Sequence, residues 1–301
     1  MNIRKILWAS DNSTESEQAL GMAKYLAKQF GSKIHGLFVS EIHFPIMFSY
    51  PTYKEELMEI VEKTEKDFED KFSSLTENLN TEGINFNGSI VRGGVAEAIL
   101  HVAYRENADL VVMGKRGHQY NKKIMLGSQT IKVLRDSNIP VLAYKEKSPN
   151  IEERISSILV ALDITEKTDS ALKSGLELAL KLKAALIVVY VFWIDTHIYD
   201  IPSDLVDRIV DHSSGELIRR VKKIQEDSYL INKKIESLNI QTQVLYSFNP
   251  GISISNYAYD NSIDLIVINT HGRKGSNRVF LGSVTETVIR ESNCSVLAIT
   301  P

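Results

Sequence analysis

Two tandem, doubly wound α/β domains with parallel sheets are the fold this sequence predicts, and three observations carry the prediction. The chain repeats itself after about 155 residues. Asp109-Leu110-Val111-Val112-Met113-Gly114-Lys115-Arg116-Gly117 aligns with Asp264-Leu265-Ile266-Val267-Ile268-Asn269-Thr270-His271-Gly272. After nine more residues in each copy, Leu126-Gly127-Ser128-Gln129-Thr130 aligns with Leu281-Gly282-Ser283-Val284-Thr285. Solenoid repeats have periods of roughly 20 to 50 residues, so a period this long marks duplication of a whole domain. Within each copy, short β-rich runs alternate with longer helical patterns, the signature of βαβ units. Runs such as Leu186-Ile187-Val188-Val189-Tyr190-Val191 are continuously apolar, as expected of parallel strands buried on both faces.

The elements follow in order. A strand at 5–10 closes on Asp11, and a helix at 15–29 leads to a strand at 33–39. The segment 43–51 is aromatic and proline-bounded; it precedes a long charge-rich helix at 54–79 and a strand at 85–91. Gly93-Gly94 opens a helix at 95–106, followed by a strand at 110–113, a helix at 128–136 opened by Gly127, and a strand at 140–143. The second copy places strands at 157–162, 186–191, 241–246, 265–268 and 295–299. Its helices fall at 167–182, 204–238, 252–261 and 283–290, and the aromatic segment recurs at 193–202. These aromatic segments are lids or packing surfaces, since exposed apolar area marks an interface of some kind. The charged stretch 145–154, interrupted by Pro149, reads as the linker between domains at 1–146 and 154–301.

Composition excludes several function classes. With 43% hydrophobic and 24% charged residues and a formal net charge of −3, the chain has no field that would gather nucleic acid or an anionic membrane. The single cysteine, Cys294, cannot form an internal disulfide and reads as a small buried hydrophobe, which fits a reducing cytosol. The first residues lack the pattern of a signal peptide, and no apolar run is long enough to span a bilayer. A cytoplasmic protein is expected.

The chemistry lies at the glycines. Gly114-x-x-Gly117, nine residues, then Gly127-Ser128 is a pattern suited to phosphate, because glycine lets backbone N–H groups approach an anion without a β-carbon in the way. Gly127 and Ser128 open a helix, whose unpaired N–H groups and dipole favour an anion there. Ser128 and Thr130 offer hydroxyls. Lys115, Arg116, Lys122 and Lys123 would neutralise phosphate or simply form a solvated basic loop. Asp11 closes the first strand and Gly114 follows the fourth. If the strand order is 3-2-1-4-5, both flank the switch point where open sheets bind ligands. Asp11 would then accept hydrogen bonds from a base or ribose, cap the following helix, or do both.

These residues together make the chain resemble a tandem universal stress protein. The resemblance implies five-stranded parallel sheets of order 3-2-1-4-5, the adenine-nucleotide alpha-hydrolase-like fold, in each copy. It also implies ATP, with or without magnesium, as a bound cofactor. Adenine would lie near Asp11 and Val39 and phosphates on the glycine loop, within a site drawn from Ser10, Asp11, Val39, Met113, Gly114, Arg116, Gly117, Gly127, Ser128, Gln129 and Thr130. The second site would be drawn from Asp163, Val191, Asn269, Gly272, Gly282, Ser283 and Thr285. It departs from the pattern at Asn269, where glycine is expected, and at Phe248, which replaces Gly93. Asn269 is expected to fill space that glycine leaves for phosphate, making the first copy the stronger site.

The chain lacks the G-x-x-x-x-G-K-[S/T] phosphate loop of fast phosphoryl transfer, so a regulatory ligand rather than an enzyme's substrate is expected. His197 with Asp195 and Asp200, or Asp211 with His212, has only loose metal-ligand spacing, and no metal site is expected. His101 is expected to pack or cap a helix. The competing class is a scaffold or apolar-ligand stress protein with degenerate nucleotide sites. The final strands, near 141–144 and 296–299, are apolar edges expected to pair the halves as an internal pseudo-dimer, with a further homodimer left open.

Overall fold

The computed structural model describes residues 1–41, 51–117, 126–146, 153–164, 169–193, 202–229, 238–270 and 281–300. The chain forms two compact units, Asn2–Ile139 and Pro140–Pro301, the latter including Met1. Both are α/β, as the alternation of strand and helix patterns predicts.

In the first unit the order is β1 (Lys5–Ser10), α1 (Thr14–Phe30), β2 (Lys33–Ser40), a short 3-10 turn, α2 (Lys54–Thr81), β3 (Phe86–Arg92), α3 (Val95–Arg105), β4 (Leu110–Gly114) and α4 (Ser128–Asp136). The strands pair in parallel in the order β3-β2-β1-β4. Helix α1 starts where Ser13 accepts the Ser16 N–H and stops at Gly31, whose φ of 72° is a left-handed cap. Between these caps Ala19, Leu20, Ala23, Leu26 and Ala27 recur at helical spacing and are buried. The Trp8 indole donates to the Ser16 carbonyl at 2.8 Å, tying β1 to the start of α1. Helix α2 lays Phe68 and Phe72 against Phe38, Trp8 and Phe86. Gly36 and Gly88, directly paired across β2 and β3, leave the room those rings occupy.

The second unit comprises β5 (Val141–Tyr144), β6 (Ser157–Ala161), α5 (Ser170–Leu182), β7 (Ala185–Trp193), α6 (Ser203–Tyr229), β8 (Ile240–Ser247), α7 (Pro250–Asp260), β9 (Leu265–Asn269), α8 (Ser283–Glu291) and β10 (Ser295–Ile299). Its five repeat strands pair in parallel as β10-β9-β6-β7-β8, which is the order 5-4-1-2-3 of the repeat. Strand β5 adds to this sheet antiparallel to β10, with Leu142 opposite Leu297. Cys294 is buried just before β10. The expected helix at 204–238 is described to Tyr229; residues 230–237 lie outside the described residues. In both units one aspartate pins the first strand. Asp109 accepts from the N–H groups of Arg4 and Lys5, and Asp264 from those of Ser156 and Ser157.

His35 on β2 is buried, with Nδ1 3.0 Å from Asn87 Oδ1 and Nε2 2.8 Å from Ser89 Oγ. Burial pushes its pKa below the ordinary 6.5, outweighing the opposing pull of Glu106; Arg105 and Lys5 also lower it. The unfolded chain therefore takes up this proton first, so the first unit loses stability as pH falls from 6.5 to the lower folded value. His35→Gln keeps hydrogen-bonding capacity without a charge. Its urea midpoint should lack the part of the acid dependence that His35 supplies; an identical dependence in both proteins would refute the assignment.

Candidate functional site

The pairing of Ala9 with Met113 sets the ends of β1 and β4 side by side, so Asp11 and the 114–117 turn meet at the carboxyl edge of the first sheet. Asp11 Oδ1 accepts the Ser13 N–H at 3.0 Å, a local turn. The cap of α1 is Ser13, so that role does not fall to Asp11. The other carboxylate oxygen, Oδ2, lies 2.6 Å from where a β-carbon on Gly117 would stand. Gly114 has no room for a side chain either: its β-carbon would stand 3.0 Å from the Arg116 carbonyl and 3.2 Å from Glu15 backbone. The returning chain is held by Gly127, whose N–H donates to the Lys115 carbonyl at 2.9 Å. Gly127 then caps α4 in extended geometry, and a β-carbon there would approach Gly117 N to 3.6 Å. Ser128 is exposed at the helix start and Gln129 half-buried, while Val39, half-buried at the end of β2, flanks the β1 end. The described residues thus bring together Asp11, Gly114, Gly117, Gly127 and Ser128, all candidates from the sequence.

Other expected roles are corrected. Thr130 is buried and its hydroxyl donates to the Gly114 carbonyl at 3.1 Å; Thr285 does the same to the Asn269 carbonyl at 2.7 Å. With that proton committed to the backbone, each threonine anchors its helix to the preceding strand and has no hydroxyl donor for phosphate. Lys115 is 2% exposed, inside the unit and away from solvent. Ser10 is buried and donates to Glu17 at 2.9 Å. His101 is exposed on α3, not packed. Lys122, Lys123, Gly272 and the 195–200 histidine–carboxylate group lie outside the described residues; Asp211 and His212 are exposed on α6. Among the described residues no group of histidine, cysteine and carboxylate side chains would hold a metal ion.

The second unit repeats the framework. Gly282 N–H donates to the Thr270 carbonyl at 2.8 Å, and Gly282 caps α8 as Gly127 caps α4. Ser283 is exposed, Asp163 half-buried after β6 and Val191 buried on β7. Asn269 differs from the expectation. Its Oδ1 accepts from Ser170 Oγ at 2.8 Å and from the Ala171 N–H at 3.1 Å, so the side chain turns to the start of α5. The space exists because α5 begins at Ser170, four residues later in repeat register than α1 begins at Thr14. Asn269→Ala should therefore remove a helix-capping side chain and destabilise the second unit by about 0.5–2 kcal/mol. A denaturation midpoint equal to that of the parent would show the cap to be idle.

Two sets of residues escaped sequence reasoning. On α2, Lys71 Nζ lies 2.7 Å from Glu17 Oε1 and donates to Asn12 Oδ1 at 2.8 Å; on α6, Arg220 pairs with Asp169 and donates to the Asp163 carbonyl at 3.1 Å. Each unit thus clamps the turn bearing its aspartate with a cation from its long helix. The signal was present in register, since Glu17 and Asp169 are both acids 152 positions apart, as are Asp11 and Asp163. Glu15 is the other: its carboxylate accepts the Arg116 N–H at 2.8 Å and the guanidinium Nε at 2.7 Å.

Comparison with known proteins agrees with this architecture. A sequence model of the universal stress protein family matches residues 2–145 and again 155–300. A universal stress protein of Thermus aquaticus is 32% identical over 143 residues, covering 47% of this chain and 98% of the relative. One from Mycolicibacterium smegmatis is 22% identical over 306 residues, covering 98% of this chain and 97% of its own. The crystal structure of a universal stress protein from Archaeoglobus fulgidus shares the fold with a TM-score of 0.67 at 21% identity, covering 98% of this chain and 96% of that one. Two family matches laid end to end over the two copies of one glycine framework identify the chain as a tandem member of the universal stress protein family.

Proposed function

We propose that this protein is a cytoplasmic stress-response protein that binds ATP or a related adenine nucleotide as a regulatory ligand, not as the substrate of a dedicated enzyme. The observation that carries the reading is the approach of Gly117 and Gly127, which sets a bare backbone turn against an exposed helix start beside Asp11. Such an edge favours an anion at the helix N-terminus and a hydrogen-bonding partner at the carboxylate. In this reading Asp11 and Val39 flank the base and ribose, and Gly127, Ser128 and Gln129 face phosphate. Asp163, Val191, Gly282 and Ser283, with Gly272 by its place in the sequence motif, form the second site. We assign the repeats to 1–146 and 154–301 and infer that the two halves form an internal pseudo-dimer.

A second reading, binding of an apolar ligand or partner by the second unit, draws on one observation. Trp193, Tyr246 and Phe248 are exposed, with Tyr246 6.0 Å from both Phe192 and Phe248. Denaturing the purified full chain and identifying released small molecules by mass spectrometry, with calorimetric titration of the stripped protein, separates the two. An adenine nucleotide released or bound supports the first reading. Its absence in both measurements would end it.

A further inference from the structure

The turn that carries Asp11 is held from outside its own strand and helix. Asn12, the next residue, has φ of 63°, in the left-handed region. Asparagine visits that region at lower cost than most residues, but a non-glycine residue persists there only where its surroundings hold it. Asn12 is held twice. Its N–H donates to Ser10 Oγ at 3.2 Å, and its Oδ1 accepts from Lys71 Nζ at 2.8 Å. Ser10 Oγ in turn donates to Glu17 Oε1 at 2.9 Å, the same oxygen that Lys71 Nζ approaches to 2.7 Å. These four residues close a ring in which Lys71 is the member from α2. Its ammonium lies 5.3 Å from the centre of the Phe68 ring and 5.8 Å from that of Trp8, contacts that fix it over the aromatic core. The buried residues of α2 are Phe68, Phe72 and Leu79, so Lys71 sits where the helix is anchored to the sheet.

Resting on the nucleotide reading above, the geometry points to Lys71 as a positioning residue for the first site: by fixing the Asp11 turn from α2, it couples ligand occupancy to the docking of that helix. Lys71 acts through Asn12 and Glu17 and not on phosphate, so its effect on affinity is the same for a nucleotide with one phosphate or three. Such coupling is reciprocal, and a ligand that favours the held turn must strengthen the docking of α2 by the same factor. The second unit repeats the device with arginine, Arg220 of α6 reaching Asp169 and the Asp163 carbonyl.

The test is hydrogen exchange of the full chain titrated with AMP and with ATP, comparing the parent with Lys71→Met and Lys71→Arg. Methionine keeps a chain of similar length over Trp8 and Phe68 without the charge; arginine keeps the charge and the donors. Protection of residues 9–20 against ligand concentration gives the affinity of the first unit alone. Residues 66–76, read against α3 as the measure of general stabilisation, report the docking of α2. The expected result for Lys71→Met is an affinity about fivefold lower for AMP and ATP alike, the worth of one hydrogen bond, with the extra protection of 66–76 lost. Lys71→Arg should recover most of both. The assignment would be overturned, and the nucleotide reading left intact, by unchanged affinity in Lys71→Met, by a loss several times greater for ATP than for AMP, by a Lys71→Arg protein no better than Lys71→Met, or by a parent whose α2 gains no extra protection. If neither nucleotide protects any part of the parent, the nucleotide reading itself falls, and the role of Lys71 with it.

Discussion

Gly127→Val in the full chain is expected to weaken adenine-nucleotide binding at the first unit about tenfold or more without unfolding the sheet. Gly127 has φ of −70° and ψ of 139°, a conformation valine adopts readily, so the backbone bears no strain from the change. The loss arises from space. A β-carbon at this position stands 3.3 Å from Thr130 Oγ1, 3.4 Å from the Lys115 carbonyl and 3.6 Å from Gly117 N, and the methyl groups beyond it cover the helix start. An anion reaching the N–H groups of α4 would then meet hydrocarbon. Calorimetry of the folded variant, with its circular dichroism matched to the parent, reads the effect. Undiminished affinity would remove the helix start from the site.

Gly88→Val should destabilise the first unit by about 3 kcal/mol, the upper part of the range for overpacked cores. A β-carbon on Gly88 would stand 2.4 Å from Phe72 Cδ2 and Cγ and 2.9 Å from its Cβ. Turning the ring alone cannot relieve a contact that reaches the Cβ, so α2 must shift from β3, and the Phe68 and Phe38 stack at 3.6 Å shifts with it. Valine's better strand propensity offsets about 1 kcal/mol at most. Thermal unfolding should show a midpoint lower by roughly 10 °C, at about 2–4 °C per kcal/mol for units of this size. A midpoint unchanged or raised would mean that Phe72 repacks freely.

The two substitutions separate what the glycines do. Gly88 is needed because a ring from a helix 16 positions earlier in sequence occupies the place of its side chain, and Gly127 because a ligand would. Both look alike in the sequence; only their surroundings distinguish a packing glycine from a site glycine.

Much of the fold was legible in the residues alone. Continuous apolar runs such as Leu265-Ile266-Val267-Ile268 identify buried parallel strands, and the spacing of Ala19, Leu20, Ala23 and Leu26 identifies a helix packed on them, because strand and helix periodicities are local properties of the chain. The repeat register predicted two α/β units and the meeting of Asp11 with the glycine turn, because the chain order of a doubly wound sheet leaves few places for the ends of the first and fourth strands. What the sequence could not decide were the partners of individual side chains. Thr130 reads as a phosphate hydroxyl until that hydroxyl is found donating to the Gly114 carbonyl, and Asn269 as an obstruction until its amide oxygen is found capping α5. Glu15 and Arg116 are 101 positions apart, and Lys71 is 54 from Glu17. Such pairs depend on where whole helices dock against the sheet, a property of tertiary packing that no local pattern of residues encodes.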